Sequence, residues 1–148
     1  MTDYHITRDF RASEFRCKHC GAAGIRHELV EHLQSLRDSL GAPVIVTSGY
    51  RCPLHPVEAR KTKPGRHTEG IAADIRCSRV SLRQIYLRVL RDFPAFRGIG
   101  VAPALNFVHL DIRKIKPGQR AVVWAYDDDG KEVKWDGRWE NLPKKEIA

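Results

Sequence analysis

Two short apolar segments of this chain carry ionisable residues at places where a buried strand is expected. Residues 70–75 read Gly-Ile-Ala-Ala-Asp-Ile and set Asp74 among small and apolar neighbours. Residues 106–112 alternate, so that His109 and Asp111 share one face of a strand and apolar side chains form the other. A buried carboxylate must be paired, hydrogen-bonded or bound to a metal, because desolvating it alone is very costly. The two segments therefore predict a polar site built into a hydrophobic sheet.

A third ionisable residue, His67, lies seven positions before Asp74, with Gly70 between them. Taken singly, a strand histidine is usually a satisfied core or surface residue, and a strand aspartate is usually salt-bridged. Two histidines and one carboxylate, however, match the protein ligands of a catalytic zinc site, which leaves a fourth position for water. The chain has no His-Glu-x-x-His motif, so the ligands are not two histidines on one helical face. The spacing instead suits a loop histidine followed by a strand aspartate.

Hydrophobic periodicity predicts an α+β fold, with two helices packed on a mainly antiparallel sheet. Leucine and valine recur at helical spacing over residues 28–40, and a similar pattern covers residues 81–91. Strands are predicted at residues 44–47, 70–75, 98–101, 106–112, 121–126 and 132–135. Residues 52–69 are rich in proline and charge and are predicted to form a long loop, which in a compact domain is usually functional or mobile.

Length and composition indicate one domain over residues 1–148. It would open with an irregular segment at residues 1–27 and end in a hairpin and frayed tail at residues 118–148. No apolar run approaches the roughly 20 residues that cross a bilayer, so no membrane insertion is expected. The start of the chain lacks a basic stretch followed by an apolar one, so no signal peptide is expected either. The formal net charge of +8 favours an anionic partner, whether nucleic acid, acidic membrane or cell-wall polymer.

The chain has four cysteines, and their spacing leaves their role open. Cys17 and Cys20 form a single Cys-x-x-Cys pair, which without a second pair is weak evidence for a zinc ribbon. Cys52 and Cys77 are too far away in sequence to be grouped with it by spacing. Buried or free thiols, a small structural metal site, and redox or disulfide chemistry all remain open at this point.

Four segments, taken in order, resemble a family of peptidoglycan-cleaving zinc peptidases. Residues 67–74 are similar to that family's His-x-x-Gly-x-Ala-x-Asp motif. Residues 48–51 (Ser-Gly-Tyr-Arg), 98–100 (Gly-Ile-Gly) and 107–113 (Phe-Val-His-Leu-Asp-Ile-Arg) resemble further segments of it, and residues 13–17 resemble the opening of small, often phage-encoded members. The family comprises D-Ala-D-Ala carboxypeptidases and L-alanyl-D-glutamate endopeptidases and shares its fold with the hedgehog signalling domain. The resemblance implies that hedgehog-like fold here.

The resemblance also implies a set of site residues. His67, Asp74 and His109 correspond to the metal ligands and would hold one Zn²⁺ per chain. Arg51 corresponds to the arginine that binds substrate and stabilises the transition state. That role is physically reasonable, because a guanidinium holds a carboxylate or a developing oxyanion through two parallel hydrogen bonds.

The chain departs from the family pattern at two positions. The serine that usually lies two residues before the first ligand histidine is Gly65 here. The acid that many relatives carry three residues before the last ligand histidine is Asn106, which cannot accept a proton. Asp111 is the predicted general base, although it could instead orient a ligand, and Glu69 is a second candidate.

The leading prediction is a monomeric zinc metallopeptidase that hydrolyses a D-amino-acid-containing peptide bond of peptidoglycan through zinc-activated water. It would act as a carboxypeptidase or an endopeptidase, without a nucleic-acid partner. It would stay in the cytoplasm until release, as phage or prophage lysis enzymes do, or be exported by a non-classical route. One alternative is a non-catalytic, zinc-holding binding module of the same fold. Another is a basic Cys-x-x-Cys nucleic-acid binder, which explains the charge but not the two histidines and the aspartate.

Overall fold

A six-stranded sheet forms the centre of the molecule, seen in a computed structural model that describes residues 2–63 and 65–143. The strands are β1 (Val44–Ser48), β2 (Ala72–Cys77), β3 (Gly98–Ala102), β4 (Phe107–Asp111), β5 (Val122–Tyr126) and β6 (Glu132–Val133). The helices are α1 (His27–Leu40), α2 (Pro56–Ala59) and α3 (Leu82–Asp92). The strand order is β1-β2-β4-β3-β5-β6, and every neighbouring pair is antiparallel except β3 and β5. The predicted α+β class with a mainly antiparallel sheet is confirmed.

The two long helices pack where their apolar stripes predict. Helix α1 buries Leu29, Val30, Leu33 and Leu36, and α3 buries Ile85, Tyr86 and Val89 against the same core. Ser81 begins α3 by accepting a hydrogen bond from the Gln84 amide at 3.1 Å, which satisfies one of the free amides of the first turn. Burial of these stripes, rather than helix propensity, holds both helices on the sheet.

The two faces of the sheet differ in chemistry because strand side chains alternate. On one face, Ile75 of β2, Ile99 of β3 and Leu110 of β4 join the helices in the hydrophobic core. On the opposite face the same strands present Asp74 and His109, which are paired across β2 and β4. The helices therefore cover one face and leave the other to the polar residues.

The loop predicted at residues 52–69 contains short elements that its composition did not indicate. Pro56 begins α2, and the His55 imidazole accepts a hydrogen bond from the Val57 amide at 3.1 Å, which caps this helix. A 3₁₀ turn follows at Arg66–Glu69. Glu58 of α2 is buried, and its carboxylate accepts a hydrogen bond from the Gly65 amide, which holds the later part of the loop against α2.

The segment before α1 is more ordered than expected, whereas the hairpin near the other end was predicted. The segment before α1 holds a 3₁₀ turn at Ala12–Phe15, and Phe10 and Phe15 are both buried in the core. The hairpin predicted near the end of the chain is confirmed by the antiparallel pairing of β5 and β6. The tail predicted through Lys144 and Lys145 lies outside the described residues. None of the helices in the described part of the chain is long and apolar enough to span a membrane.

Replacing Leu33 by Ala removes a fully buried side chain of α1 and leaves a cavity in the core. We expect the free energy of unfolding to fall by about 2–5 kcal/mol. The same change at Leu87 of α3, which is 49% exposed, is expected to alter it by no more than about 0.5 kcal/mol. Urea titrations of both variants beside the wild type provide the measurement. Equal losses in the two variants would contradict the placement of the core against α1.

Candidate metal centre

Three buried side chains from separate elements meet on the polar face of the sheet. His67 comes from the 3₁₀ turn before β2, Asp74 from the middle of β2, and His109 from the middle of β4. Asp74 and His109 are direct cross-strand partners, so the register of the two strands alone brings them together. The ligand atoms of the three residues all lie within 4.8 Å of one another. The structure thus assembles the three residues that the sequence grouped.

In each histidine, one ring nitrogen is hydrogen-bonded to a group outside the three-residue cluster, so the other ring nitrogen faces Asp74. His67 Nδ1 lies 2.7 Å from the Gly49 carbonyl, an acceptor, so Nδ1 carries the proton and Nε2 faces Asp74 Oδ1 at 3.3 Å. His109 Nε2 lies 2.8 Å from Asp111 Oδ2, which leaves Nδ1 facing the same Asp74 oxygen at 3.0 Å. Such outer partners fix the tautomer and orientation of metal-binding histidines.

The inner atoms make a donor set that suits a cation. Two neutral imidazole nitrogens and one carboxylate oxygen are all electron-pair donors, and their close approach is favourable only when a proton or a metal ion lies among them. Burial alone would lower the pKa of His109, but its hydrogen bonds to Asp111 and Asp74 raise it to about 9. Burial works against the charge on Asp74, yet its two histidine neighbours hold the pKa of that carboxyl well below its usual range. Nitrogen and oxygen donors of this kind fit Zn²⁺.

Arg51 links the centre to the loop that follows β1. Its Nη2 lies 3.3 Å from Asp74 Oδ2, the oxygen turned away from the histidines, and its Nη1 lies 3.4 Å from Glu58 Oε2. Its Nε donates to Ser48 Oγ at 3.1 Å, and its backbone amide donates to the His67 carbonyl at 3.3 Å. The arginine is therefore held in place by its side chain and by its backbone.

Glu58 is the buried anchor of this loop. Its side chain is 0% exposed and receives hydrogen bonds from Lys61 Nζ and from the Gly65 amide, both at 2.9 Å, in addition to its ion pair with Arg51. Burial raises the pKa of the Glu58 carboxyl, but the hydrogen bonds from Lys61 and Gly65 outweigh burial and lower it. Gly65 replaces the serine of the family pattern, and it is the backbone amide of this residue that the structure uses.

Asp111 lies behind His109 rather than in the open space of the site. It is fully buried, and Arg113 binds it through Nε at 2.8 Å and Nη2 at 2.7 Å. Burial raises the pKa of Asp111, but the hydrogen bonds from Arg113 and His109 hold it well below its usual range. These contacts suit the second of the two predicted roles, in which Asp111 orients a ligand.

Two glycines of β3 leave room for the site. Gly98 lies opposite Asp111, and a Cβ built on it would lie 2.3 Å from the Asp111 carboxylate. Gly100 lies opposite His109, and a Cβ there would lie 2.6 Å from Trp124 Nε1. The Trp124 ring crosses this gap, so that its centroid is 5.1 Å from that of His109. The Gly-Ile-Gly motif thus lets larger side chains from β4 and β5 fill the polar face.

A cleft of about 770 Å³ opens over the three residues. Arg51 and the candidate ligands form part of its lining, while Phe107, Trp124 and Tyr126 provide an aromatic wall. Its basic lining residues are Arg51, Lys61, Lys63, Arg66, Arg113 and Lys131. Burial and the nearby charge of Asp74 raise the pKa of Tyr126 well above its usual range, so its hydroxyl is neutral in the cleft. Basic and aromatic side chains thus make up much of the lining of this cleft.

An imidazole–imidazole–carboxylate set in an open cleft is the arrangement that single-zinc hydrolases use. In the comparison with known families, the model of the peptidase M15 family matches residues 6–111. The chain belongs to this family of zinc metallopeptidases, and the match includes His67, Asp74 and His109. None of the curated proteins compared with the chain matches it.

Several residues of the site were missed by the sequence interpretation. Glu58 was not predicted, because it lies in a charged loop whose sequence does not distinguish it from its exposed neighbours. The contact between Gly100 and Trp124 was not predicted. Glu132 of β6 lines the cleft but lies beyond the family match. Glu69, the second candidate base, is exposed and pairs with Arg66 at 3.1 Å.

Glu58→Gln tests the anchor that holds Arg51. The variant keeps the shape of the side chain but removes the charge that Lys61 and Arg51 neutralise, so we expect it to lower the free energy of unfolding at pH 7 by about 1–3 kcal/mol. Because folding lowers the pKa of this carboxyl, its contribution is present above the unfolded pKa of about 4.3 and is lost as the pH falls below it.

Urea titrations between pH 3 and pH 7, which bracket the unfolded pKa of about 4.3, provide the measurement. The difference between wild type and Glu58→Gln should shrink towards pH 3. Glu31→Gln, at an exposed position of α1, is the matched control and should show no such trend. A difference between Glu58→Gln and wild type that is independent of pH would contradict a charged role for Glu58.

Proposed function

We propose that this protein hydrolyses a D-amino-acid-containing peptide bond of bacterial peptidoglycan, as a carboxypeptidase or an endopeptidase. The observation that carries the proposal is the convergence of His67, Asp74 and His109 at a cleft that Arg51 also lines. Membership of the peptidase M15 family supports peptide hydrolysis, and the motif resemblance to peptidoglycan-cleaving members supports the substrate class.

The three candidate ligands would hold the zinc ion through His67 Nε2, Asp74 Oδ1 and His109 Nδ1. A zinc ion bound by such a set supplies a Lewis acid that polarises a peptide carbonyl and lowers the pKa of water towards 7. The protein contributes the orientation of these atoms through Gly49, Asp111 and the β2–β4 pairing. It also contributes a partly enclosed cleft in which electrostatic interactions are stronger than in bulk water.

Arg51 would bind a carboxylate of the substrate or the oxygen that gains charge when the carbonyl is attacked. Its guanidinium lies beside the candidate ligands and is held by Asp74, Glu58 and Ser48, so little reorganisation is needed when a substrate arrives. The other basic residues of the cleft would attract peptides that carry free carboxylates, as peptidoglycan stem peptides do.

A general base must be a carboxylate that can reach the substrate, and the three candidate acids are Asp111, Glu69 and Glu132. Asp111 is buried behind His109 and is bound by Arg113. Glu69 is paired with Arg66 and is not among the residues that line the cleft. Glu132 lines the cleft, is exposed, and has no ion-pair partner among residues 2–63 and 65–143. We therefore propose Glu132 as the general base and Asp111 as a positioning residue for His109.

His67→Ala tests the function as a whole. We expect purified wild-type protein to release soluble peptides or free D-alanine from purified peptidoglycan, and His67→Ala to lose that activity at least 100-fold because one ligand is missing. His5→Ala, which removes an exposed imidazole far from the site in sequence, is the control and should match the wild type.

Liquid chromatography with mass spectrometry of the digested sacculi identifies the bond that is cleaved. Release of single D-alanine residues would assign a carboxypeptidase, and separated stem peptides would assign an endopeptidase. Wild-type protein that holds zinc in a His67-dependent manner but cleaves no wall substrate would contradict the proposal and favour the non-catalytic binding module.

Glu132→Gln and Asp111→Asn separate the two proposed roles. We expect Glu132→Gln to lower kcat about 100-fold or more without changing zinc affinity, because only a proton acceptor is lost. We expect Asp111→Asn to weaken zinc binding about 10–100-fold, because His109 loses the partner that orients it.

Zinc competition with a chelator and steady-state hydrolysis of a stem peptide measure the two effects. Asp129→Asn is the matched control, because Asp129 is another exposed acid of the cleft lining. A fully active Glu132→Gln beside an Asp111→Asn that binds zinc normally but does not turn over would return the base to Asp111.

A further inference from the structure

A second cluster of metal-binding side chains lies outside the cleft. The thiols of Cys17, Cys20 and Cys52 approach one another within 4.8 Å, although 35 residues separate the first from the last. The fold brings them together because the turn after the first 3₁₀ helix packs beside the end of β1: the Tyr50 amide donates to the Phe15 carbonyl at 2.8 Å. Cys52 lies four residues after Ser48, the last residue of β1.

The geometry of this cluster is that of thiolate ligands rather than of packed thiols. Cys17 Sγ accepts a hydrogen bond from the Cys52 amide at 3.3 Å. A backbone donor aimed at a sulfur stabilises its thiolate, the form that binds metals. In addition, His19 Nδ1 lies 3.5 Å from Cys52 Sγ, close to the roughly 3.6–3.8 Å that separates neighbouring ligand atoms around a tetrahedral Zn²⁺ with Zn–S of about 2.3 Å.

We propose that Cys17, Cys20 and Cys52 form a structural zinc site. His19, whose imidazole contacts Cys52 but lies outside the group of three thiols, would complete the site when the metal binds. Three thiolates and one imidazole are a closed tetrahedral set, which leaves no position for water, in contrast to the three-ligand set of His67, Asp74 and His109. Soft sulfur donors favour Zn²⁺ over Mg²⁺ and Ca²⁺. The site would hold the N-terminal segment against the loop that begins at Cys52.

The fourth cysteine, Cys77, is a buried thiol outside the cluster. Cys77 lies at the end of β2, and its Sγ donates to the Pro43 carbonyl at 2.9 Å, with no other cysteine in its cluster. All four cysteines are free thiols in the structure, so no disulfide bond occupies the cluster. Cys77 therefore provides a matched control for the other three.

The proposed site has a consequence for the cleft, because Cys52 is the immediate neighbour of Arg51. A ligand bond at Cys52 would limit how far the Arg51 backbone can move, and Arg51 is the side chain that contacts both Asp74 and Glu58. The second metal would thus position the substrate-facing arginine without taking part in the reaction.

Metal content and cobalt spectra test the proposal. We expect protein from zinc-supplemented cells to hold two Zn²⁺ per chain in the wild type and in Cys77→Ser, and one in His67→Ala. Cys20→Ser should also hold one Zn²⁺ per chain after dialysis against a chelator. Because Cys20 is exposed, this substitution removes a ligand without altering the hydrophobic core. Circular dichroism of each variant checks that the fold is retained.

Cobalt identifies which ligands hold each ion, because thiolate ligands give a sulfur-to-metal charge-transfer band in the near ultraviolet that imidazole and carboxylate ligands do not. In cobalt-loaded protein we expect this band in the wild type and in His67→Ala, a strong reduction in Cys20→Ser, and a shifted, weaker spectrum in His19→Ala. Survival of the band in His67→Ala keeps this test independent of the proposed peptidase activity.

Three results would overturn the proposal. One is a wild type that holds a single metal ion, which is lost in His67→Ala. Another is cobalt-loaded protein without the charge-transfer band. A third is a Cys17–Cys20 or Cys17–Cys52 disulfide found by mass spectrometry in protein purified without reductant. An unchanged spectrum in His19→Ala would remove His19 from the ligand set.

Discussion

The charge on Asp74 is the constraint on which the rest of the site depends. An ionised carboxylate buried in a hydrophobic sheet is stable only when its surroundings replace water, and here one oxygen faces two histidines while the other faces Arg51. These three partners come from a 3₁₀ turn, from β4 and from the loop that follows β1. The carboxylate therefore links elements that are distant in sequence, and removing any one partner would leave a charge that the others cannot balance alone. The same requirement explains why a cation is the natural occupant of the space between the histidines.

The sheet tolerates this charge because its two faces are kept chemically separate by alternation. The core face of β2, β3 and β4 is aliphatic and covered by α1 and α3, so the hydrophobic core lies on the side of the sheet away from the polar residues. On the polar face, β3 contributes Gly98 and Gly100 and thereby leaves space for Asp111 and Trp124. A strand that contributes almost no side-chain volume to one face would normally be weak. Here it is stabilised by pairing with β4 on one side and β5 on the other.

Local patterns were sufficient to predict the two long helices, the strands and the grouping of His67, Asp74 and His109, but not the short helix α2 or the contacts that depend on long-range packing. The alternation around His109 and the apolar neighbours of Asp74 are visible within a few residues, so the strands and their polar faces could be inferred. Glu58 could not be inferred, because nothing in a charged loop distinguishes the one acid that the fold buries from its exposed neighbours. Cys52 could not be grouped with Cys17, because their proximity depends on how the N-terminal segment packs on β1. The role of Asp111 likewise depends on Arg113, whose two hydrogen bonds are a property of the folded strand end.

The loop from Cys52 to Glu69 shows how a long connection can hold a functional side chain accurately. Arg51 is fixed by Asp74 and Ser48 on the sheet side and by Glu58 on the loop side, while Glu58 is itself held by the Gly65 amide. At its start the loop is tied to the N-terminal segment through Cys52 and Cys17, and at its end it supplies His67. The connection is thus restrained at both ends and in its middle, and the restraint passes through charged and sulfur-containing groups rather than through apolar burial. In a loop with so little hydrophobic content, this network is what makes Arg51 part of a preorganised site instead of a mobile surface side chain.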